Sequence, residues 1–451
     1  MTTLLKRFTR NFPPLRLIAR NRLRRRFRHL DYLLLTLPGS MPALPEQRSW
    51  LLKRIQGAPP LSLWELDRIF RRIAADPRPN GVILRLSTMS MPLADLQTLR
   101  GSIQRLRAQG KRVICYAQNY DLSQYYVASA ADEIWLQPGG QLLTVGLHQE
   151  ALFLKDALGM IGVELDVVAI TPYKSAYDQF ARAEPSPEGR AQVDWLLDAR
   201  YELIVTGIAE GRRISTDAAR TLIDTSPHVD ADALTAGYVD AVLNEEDFAA
   251  RLNSDQLVLW KDADKQLLLQ RKPRGDQHVA LIQINGLMMQ GESADPPVKL
   301  PIPFVGGARA GDLTVVRQVR SVMRDPNVGA VVLSINSGGG AAVAAEAMTS
   351  ALEQLAKKCP LVVSMNAVAG SGGYYVATPA RWIVAQPATL TGSIGVISAK
   401  AVTAALRQQY HLNTVHFRRG ANAGIFSDTE RFSDAQRDVM RHTIEAVYKQ
   451  F

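Results

Sequence analysis

The chain has 451 residues, 47% hydrophobic and 21% charged, which is enough for a large buried core and, by length alone, for more than one domain. Only two cysteines occur, Cys115 and Cys359, each in or beside an apolar strand-like run, so a disulfide framework is excluded and buried free thiols are expected. No run of about 18 to 20 consecutive apolar residues exists, which excludes an ordinary transmembrane helix within these residues.

The net charge of +10 is gathered at the start of the chain. Lys6, Arg7, Arg10, Arg16, Arg20, Arg22, Arg24, Arg25, Arg26 and Arg28 all precede the first acid, Asp31, and the remainder is balanced. Leu4, Leu5, Phe8, Phe12, Leu15, Leu17, Ile18, Leu23 and Phe27 are interleaved with these bases. Residues 1–50 therefore read as a basic tail, suited either to an anionic membrane surface or to simple solvation. Nucleic acid is not the expected partner, because no basic face with stacking aromatics recurs further on. The apolar run Tyr32–Leu37 ends at Pro38-Gly39 and is too short to span a bilayer.

The first folded segment, residues 51–250, opens with a helical pattern over 61–75 that stops at Asp76-Pro77. A strand over 81–86, a helix over 93–109, a strand over 112–117, a helix over 125–131 and a strand over 133–137 follow. This β-α-β-α-β succession requires crossover connections and predicts an α/β fold with mainly parallel sheets covered on both faces. The segment closes near Val242, and residues 251–277 read as a polar connector with one short apolar run, Leu257 to Trp260. Residues 278–451 then repeat the order: strand 278–284, helix 313–324, strand 329–335, helix 344–357, strand 361–365, helix 374–377, strand 382–385.

The repetition is literal. Gly372-Gly-Tyr-Tyr-Val-Ala377 lies over Ser123-Gln-Tyr-Tyr-Val-Ala128 at an offset of 249, and the same offset carries Asp325-Pro326 onto Asp76-Pro77, Val331-Val332-Leu333 onto Val82-Ile83-Leu84 and Gly395 onto Gly146, with no gap in sequence. Further on the offset is 247, matching Ser186, Arg190 and Tyr201 to Ser433, Arg437 and Tyr448. The chain is thus a tandem duplication. Its second copy stops at Phe451, the match of Ile204, so that copy is expected to be incomplete at its C-terminus.

The two copies differ where chemistry is possible. Ser371 faces Leu122, and the glycine run Ser337-Gly-Gly-Gly340 faces Thr88-Met-Ser-Met91. Conversely, Lys174 in Thr171-Pro-Tyr-Lys-Ser-Ala-Tyr177 faces alanine in either register, Ala421 or Ala423. A serine hydroxyl needs a base within hydrogen-bond reach and donors aimed at a developing oxyanion. None of the seven histidines, His29, His148, His228, His278, His411, His416 and His442, sits in a triad-like motif or a metal-ligand spacing. A lysine serves as base when burial lowers its pKa, and Lys174 follows the apolar run Val167-Val168-Ala169-Ile170. The strand-to-helix glycine turn at Ser337 and the helix start after Ser371 together make a two-sided donor site. No P-loop or zinc motif is present, so neither cofactor nor metal is expected.

At Ser371-Gly-Gly-Tyr374, Leu390-Thr-Gly-Ser-Ile-Gly395, Asn336-Ser337 and Tyr173-Lys174-Ser175 the chain resembles the signal peptide peptidase A family, also called protease IV, peptidase family S49, in its long tandem-duplicated form. The resemblance covers about residues 60 to 451. It implies Clp/crotonase-like β-α-β units and a bacterial, membrane-associated serine endopeptidase that degrades hydrophobic peptides such as cleaved signal peptides. The implied roles are Ser371 as nucleophile, Lys174 as general base, Ser393 as its orienting hydroxyl, and N–H groups of Gly339 or Gly340 with Gly372 as oxyanion hole. A homotetramer is the implied assembly. Family members usually have proline at the position of Gly338, and many carry an N-terminal membrane helix that this sequence lacks, so peripheral attachment is expected here. Two other readings stay open: a catalytically impaired scaffold of the same fold, and a crotonase-like acyl-CoA enzyme. The latter calls for catalytic acids in the loops beside Ser337 and Ser371, which contain none.

Overall fold

A computed structural model describes residues 15–26, 30–46, 48, 50, 53–54, 57–270, 275–295 and 307–451. They divide into two compact units, Met1–Gly146 with Arg200–Asp276 and Gln386–Ala388, and Leu147–Ala199 with Gln277–Ala385 and Thr389–Phe451. These units do not coincide with the two sequence copies, since Leu147–Ala199 belongs to the first copy and folds with the second.

The first unit is built on a six-stranded parallel sheet in the order Leu257–Leu259, Tyr32–Leu37, Gly81–Leu86, Arg112–Ala117, Glu133–Leu136, Ala241–Val242. Its strands are apolar on both sides because both faces are buried. On one face Leu33, Leu35, Val82, Leu84, Val113 and Cys115 share a core with residues of the helices Leu63–Ala74, Leu93–Ala108 and Leu122–Ala128. On the other, Tyr32, Ile83, Ile114, Tyr116 and Trp135 are sealed by Leu243 and Phe248. Phe248 meets Tyr116 edge-on at 4.9 Å between ring centroids. Helix starts are specified locally: the Ser62 hydroxyl accepts from the Glu65 N–H, and the Glu65 carboxylate accepts from the Ser62 N–H.

Two boundaries differ from the sequence reading. Tyr32–Leu37, assigned to the tail, is an interior strand paired with Gly81–Leu86, and Leu33 and Leu37 are fully buried. Leu257–Leu259, assigned to a connector, pairs with Tyr32–Leu34 as the sheet's edge. Each is short and acquires its place only from a partner hundreds of residues away or across an intervening helix. Within the basic stretch, Leu15–Arg24 is a helix whose Asn21 side chain exchanges two hydrogen bonds with the backbone of Leu269, at 3.0 and 2.8 Å, so this part is docked rather than free. Lys6, Arg7, Arg10 and Arg28 lie outside the described residues.

In the second unit the parallel strands His278–Asn285, Val328–Ser337, Leu361–Gly370 and Trp382–Val384 form the main sheet, with Leu390–Gly392 also on Leu361–Gly370. Ile282, Ile284, Val331, Leu333, Val363 and Met365 pack with Val315, Val319, Met348 and Leu352 of the helices Asp312–Arg324 and Ala342–Ala356. The opposite face is open: Val384, the counterpart of the fully buried Trp135, is 59% exposed, and Trp382 is 65% exposed. The offset of 249 is interrupted here. Val82 pairs with Val113, whereas Val331 pairs with Leu361, so this strand is matched at 248 (113 to 361), and one residue is regained before Ser371. A second, two-stranded sheet joins Glu164–Ala169 antiparallel to Ile397–Val402. That pairing is what brings the lysine-bearing segment of the first copy into the serine-bearing unit. Both cysteines are free thiols, Cys115 buried and Cys359 half-buried.

Candidate active site

The strand Leu361–Gly370 runs straight into Ser371, which precedes the short helix Gly372–Tyr375. Ser371 has φ 51° and ψ −122°, a conformation that favours glycine and holds a serine at a sharp strand-to-helix corner. Its own N–H donates to the Gly392 carbonyl at 2.8 Å, while its carbonyl accepts from the N–H groups of Tyr374 and Tyr375, both at 2.9 Å. The corner is therefore held from both sides, and the side chain is left projecting.

The strand Val328–Ser337 delivers the glycine turn to the same place. Gly339 has φ 95°, and a Cβ there would stand 2.7 Å from the Gly372 nitrogen and 2.8 Å from Ser371 Cβ, so only glycine admits this approach. The Ser337 hydroxyl braces the turn: it donates to the Gly286 carbonyl at 2.6 Å and accepts from the Gly339 N–H at 3.1 Å. Of the three backbone donors singled out in the sequence, Gly339 is thus engaged, whereas the N–H groups of Gly340 and Gly372 meet no acceptor among the described residues. This task of the Ser337 hydroxyl is not legible in the sequence, because Gly286 lies 51 residues away. The first copy treats its equivalent corner differently. Leu122 is buried there, and the Asp121 carboxylate caps the helix start by accepting from the Gln124 N–H at 2.7 Å, which closes that helix end to any other anion.

Lys174 reaches the serine from the small antiparallel sheet. Beyond Ala169 the pairing continues with the Ile170 N–H on the Val396 carbonyl at 3.1 Å, and a tight turn follows in which the Lys174 N–H donates to Thr171 O at 3.1 Å. Lys174 Nζ lies 3.2 Å from Ser371 Oγ and 2.9 Å from Ser393 Oγ, and it also donates to the Ser393 carbonyl. Burial lowers the pKa of this amine, with no carboxylate opposing the effect. A neutral amine has two N–H donors and one lone pair, which matches two oxygens of Ser393 and one serine hydroxyl proton. The aliphatic stem rests over Gly395, where a Cβ would be 3.6 Å from Lys174 Cδ. The structure thus brings Ser371, Lys174 and Ser393 together, with Gly372 and the 338–340 turn alongside. No described histidine bonds to Ser371 or Lys174. Among the described residues no group of three or more His, Cys, Asp or Glu could hold a metal ion.

A model of peptidase family S49 matches residues 105–258 and 353–451, a span that contains Lys174, Ser371, Gly372 and Ser393 and leaves out the 338–340 turn. The chain is 31% identical over 425 residues to Protease 4 of Salmonella typhi, covering 86% of this chain and 64% of that protein. It is 28% identical over 382 residues to the chloroplastic serine protease SPPA of Arabidopsis thaliana, covering 82% of this chain and 55% of that protein. The chain spans less than two thirds of the length of these relatives. A solved structure of a membrane-bound stomatin-specific protease is 11% identical, with a TM-score of 0.28 over 50% of this chain and 84% of that one, and adds nothing to the fold derived above.

Proposed function

Since the chain belongs to peptidase family S49, we propose that it is a serine endopeptidase that hydrolyses hydrophobic peptides, such as cleaved signal peptides, with Ser371 as nucleophile and Lys174 as general base. The observation that carries this reading is the 3.2 Å approach of Lys174 Nζ to Ser371 Oγ in a site where burial alone favours the neutral amine. Neutral Lys174 takes the Ser371 proton as Oγ attacks the scissile carbonyl, and Ser393 holds the amine in line through its hydroxyl and carbonyl. The carbonyl oxygen becomes an oxyanion beside the Gly372 N–H, at the positive end of the following helix, with a second N–H from the glycine turn, of which Gly340 has the free donor. The resulting ammonium returns its proton to the leaving amine. Water then repeats the sequence on the acyl-serine and releases the second product.

Fluorophosphonate labelling tests the assignment. Wild type should be labelled at Ser371, while Ser371→Ala and Lys174→Ala should neither label nor cleave, and the double variant should be no worse than either single one. Substantial hydrolysis by either single variant sinks the dyad.

Two further features support association with larger partners. Phe417, Phe426 and Val415 are 91%, 79% and 73% exposed, an apolar surface suited to self-association into the tetramer that the family resemblance implies. A monomer by light scattering at micromolar concentration would remove that proposal. On the helix Leu15–Arg24 and just beyond it, Ile18 and Leu23 are exposed with Arg20, Arg22, Arg25 and Arg26, and among the described residues no helix is long and apolar enough to cross a membrane. The exposed bases and apolar side chains support a peripheral attachment to an anionic bilayer, screened by salt with a Debye length of about 8 Å at physiological strength. Replacing those four arginines by glutamine should abolish salt-sensitive sedimentation with anionic vesicles, and unchanged sedimentation would place any attachment elsewhere.

A further inference from the structure

We propose that Gln192 is a positioning residue for the lysine, acting as a clamp on the turn that carries it; the inference rests on the Ser371/Lys174 reading above. Lys174 sits at the apex of a short turn whose backbone hydrogen bonds include two local ones, Lys174 N–H to Thr171 O at 3.1 Å and Asp178 N–H to Ser175 O at 3.0 Å. Tyr173, immediately before it, is 60% exposed, so that side of the turn gains little from packing. Gln192 projects from the helix Pro187–Arg212 and uses both ends of one carboxamide on the two residues flanking the lysine. Its Nε2 donates to the Tyr173 carbonyl at 3.0 Å, and its Oε1 accepts from the Ser175 hydroxyl at 3.2 Å. The Tyr173 carbonyl requires a donor, the Ser175 hydroxyl is met here by an acceptor, and one planar carboxamide offers both.

The duplication supplies an independent observation. The register that matches Ser186 to Ser433 and Arg190 to Arg437 puts Val439 opposite Gln192. The helix Asp434–Gln450 has kept the N-cap serine, whose hydroxyl accepts from Gln436 N–H at 3.2 Å, and the arginine, but not the amide. The carboxamide therefore occurs in the copy that has the lysine and not in the copy that has alanine at the lysine's position. A packing role common to both helices would not distinguish the copies in this way.

The consequence is geometric. The base has to lie within hydrogen-bond reach of Ser371 Oγ, and a displacement of about 1 Å at such a site can cost on the order of a hundredfold in rate. Gln192 touches neither the substrate-facing donors nor Ser371, so its loss should leave substrate binding intact.

The test uses the full chain with a quenched fluorescent leucine-rich peptide and, separately, a fluorophosphonate probe. Gln192→Ala and Gln192→Val should lower kcat by about ten- to a hundredfold, hold KM within about twofold, and slow fluorophosphonate labelling of Ser371 by a similar factor. Their unfolding midpoints should stay within about 2 °C of wild type, since exposed contacts of this kind contribute little to stability. Gln192→Glu, which keeps the acceptor for Ser175 and loses the donor to Tyr173, should fall between. Wild-type kcat and labelling rate in Gln192→Ala would overturn the clamp, as would a rise in KM at unchanged kcat or a loss of activity matched by a loss of folding. Ser371→Ala and Lys174→Ala, run beside it, separate the two levels of inference. If both are inert and Gln192→Ala is normal, only the clamp fails. If either is active, or wild type neither cleaves nor labels, the dyad fails and the clamp falls with it.

Discussion

Replacing Ser371 by glycine should give a more stable protein than replacing it by alanine, the reverse of the usual order. At φ 51° and ψ −122° a residue with a Cβ is held in a sparsely populated region, at a cost of about 1–3 kcal/mol. Ser371→Ala keeps the Cβ and so keeps the strain; Ser371→Gly removes both. Each variant loses the same contact with Lys174 Nζ, which retains its two bonds to Ser393, so that loss cancels in the comparison. What remains is the relief of strain set against the extra freedom of glycine in the unfolded chain, about 0.5–1 kcal/mol. The balance lies between about 0 and 2.5 kcal/mol in favour of glycine. In a domain of roughly 150–250 residues, each kcal/mol moves the thermal midpoint by about 2–4 °C. Urea and thermal unfolding of the two purified variants measure the difference directly, and both should be inactive. An alanine variant more stable than the glycine variant by about 0.5–1 kcal/mol, the usual order, would show that the corner at Ser371 stores no strain and does not present the hydroxyl in this way.

Two other outcomes are expected. Lys174→Met should stabilise the fold in a pH-dependent way: burial lowers the folded pKa below the ordinary lysine value of 10.5, so the unfolded chain binds more protons in between, and wild-type stability rises with pH across that interval. The advantage of methionine should thus be full below the lowered pKa and fade as pH approaches the unfolded value, while wild-type activity falls as pH drops through the same lowered pKa; a stability difference independent of pH would contradict the burial of this amine. Asp166, whose side chain is 6% exposed, accepts from the Phe432 N–H at 2.7 Å and pairs with Arg437, which also donates to Val167 O at 3.1 Å. Asp166→Ala should cost about 2–4 kcal/mol, toward the low end for a buried pair because Arg437 is a third exposed, and a double-mutant cycle with Arg437→Ala in urea should show clear coupling. Strict additivity would mean that the pair does not hold the lysine strand.

Much of this protein was readable without coordinates because the signals are local. The apolar runs at 82–84 and 331–333, the helix stops at Asp76-Pro77 and Asp325-Pro326, and the repeated Tyr-Tyr-Val-Ala each depend on neighbours within a turn or a strand. The division of Ser371 and Lys174 between copies was equally legible, since it needs only one copy laid over the other. The tertiary structure decided what local pattern does not encode. Tyr32–Leu37 and Leu257–Leu259 are too short to declare themselves, and become strands only by pairing with each other and with Gly81–Leu86. The compact units cut across the copies, because Glu164–Ala169 finds its hydrogen-bonding partner in Ile397–Val402 rather than in the sheet of its own copy. That single antiparallel pairing carries Lys174 to within 3.2 Å of a serine 197 residues further along the chain. A β-strand's unsatisfied backbone groups accept any edge of matching register, so composition and periodicity say that a strand exists, and only the packed fold says which edge it takes.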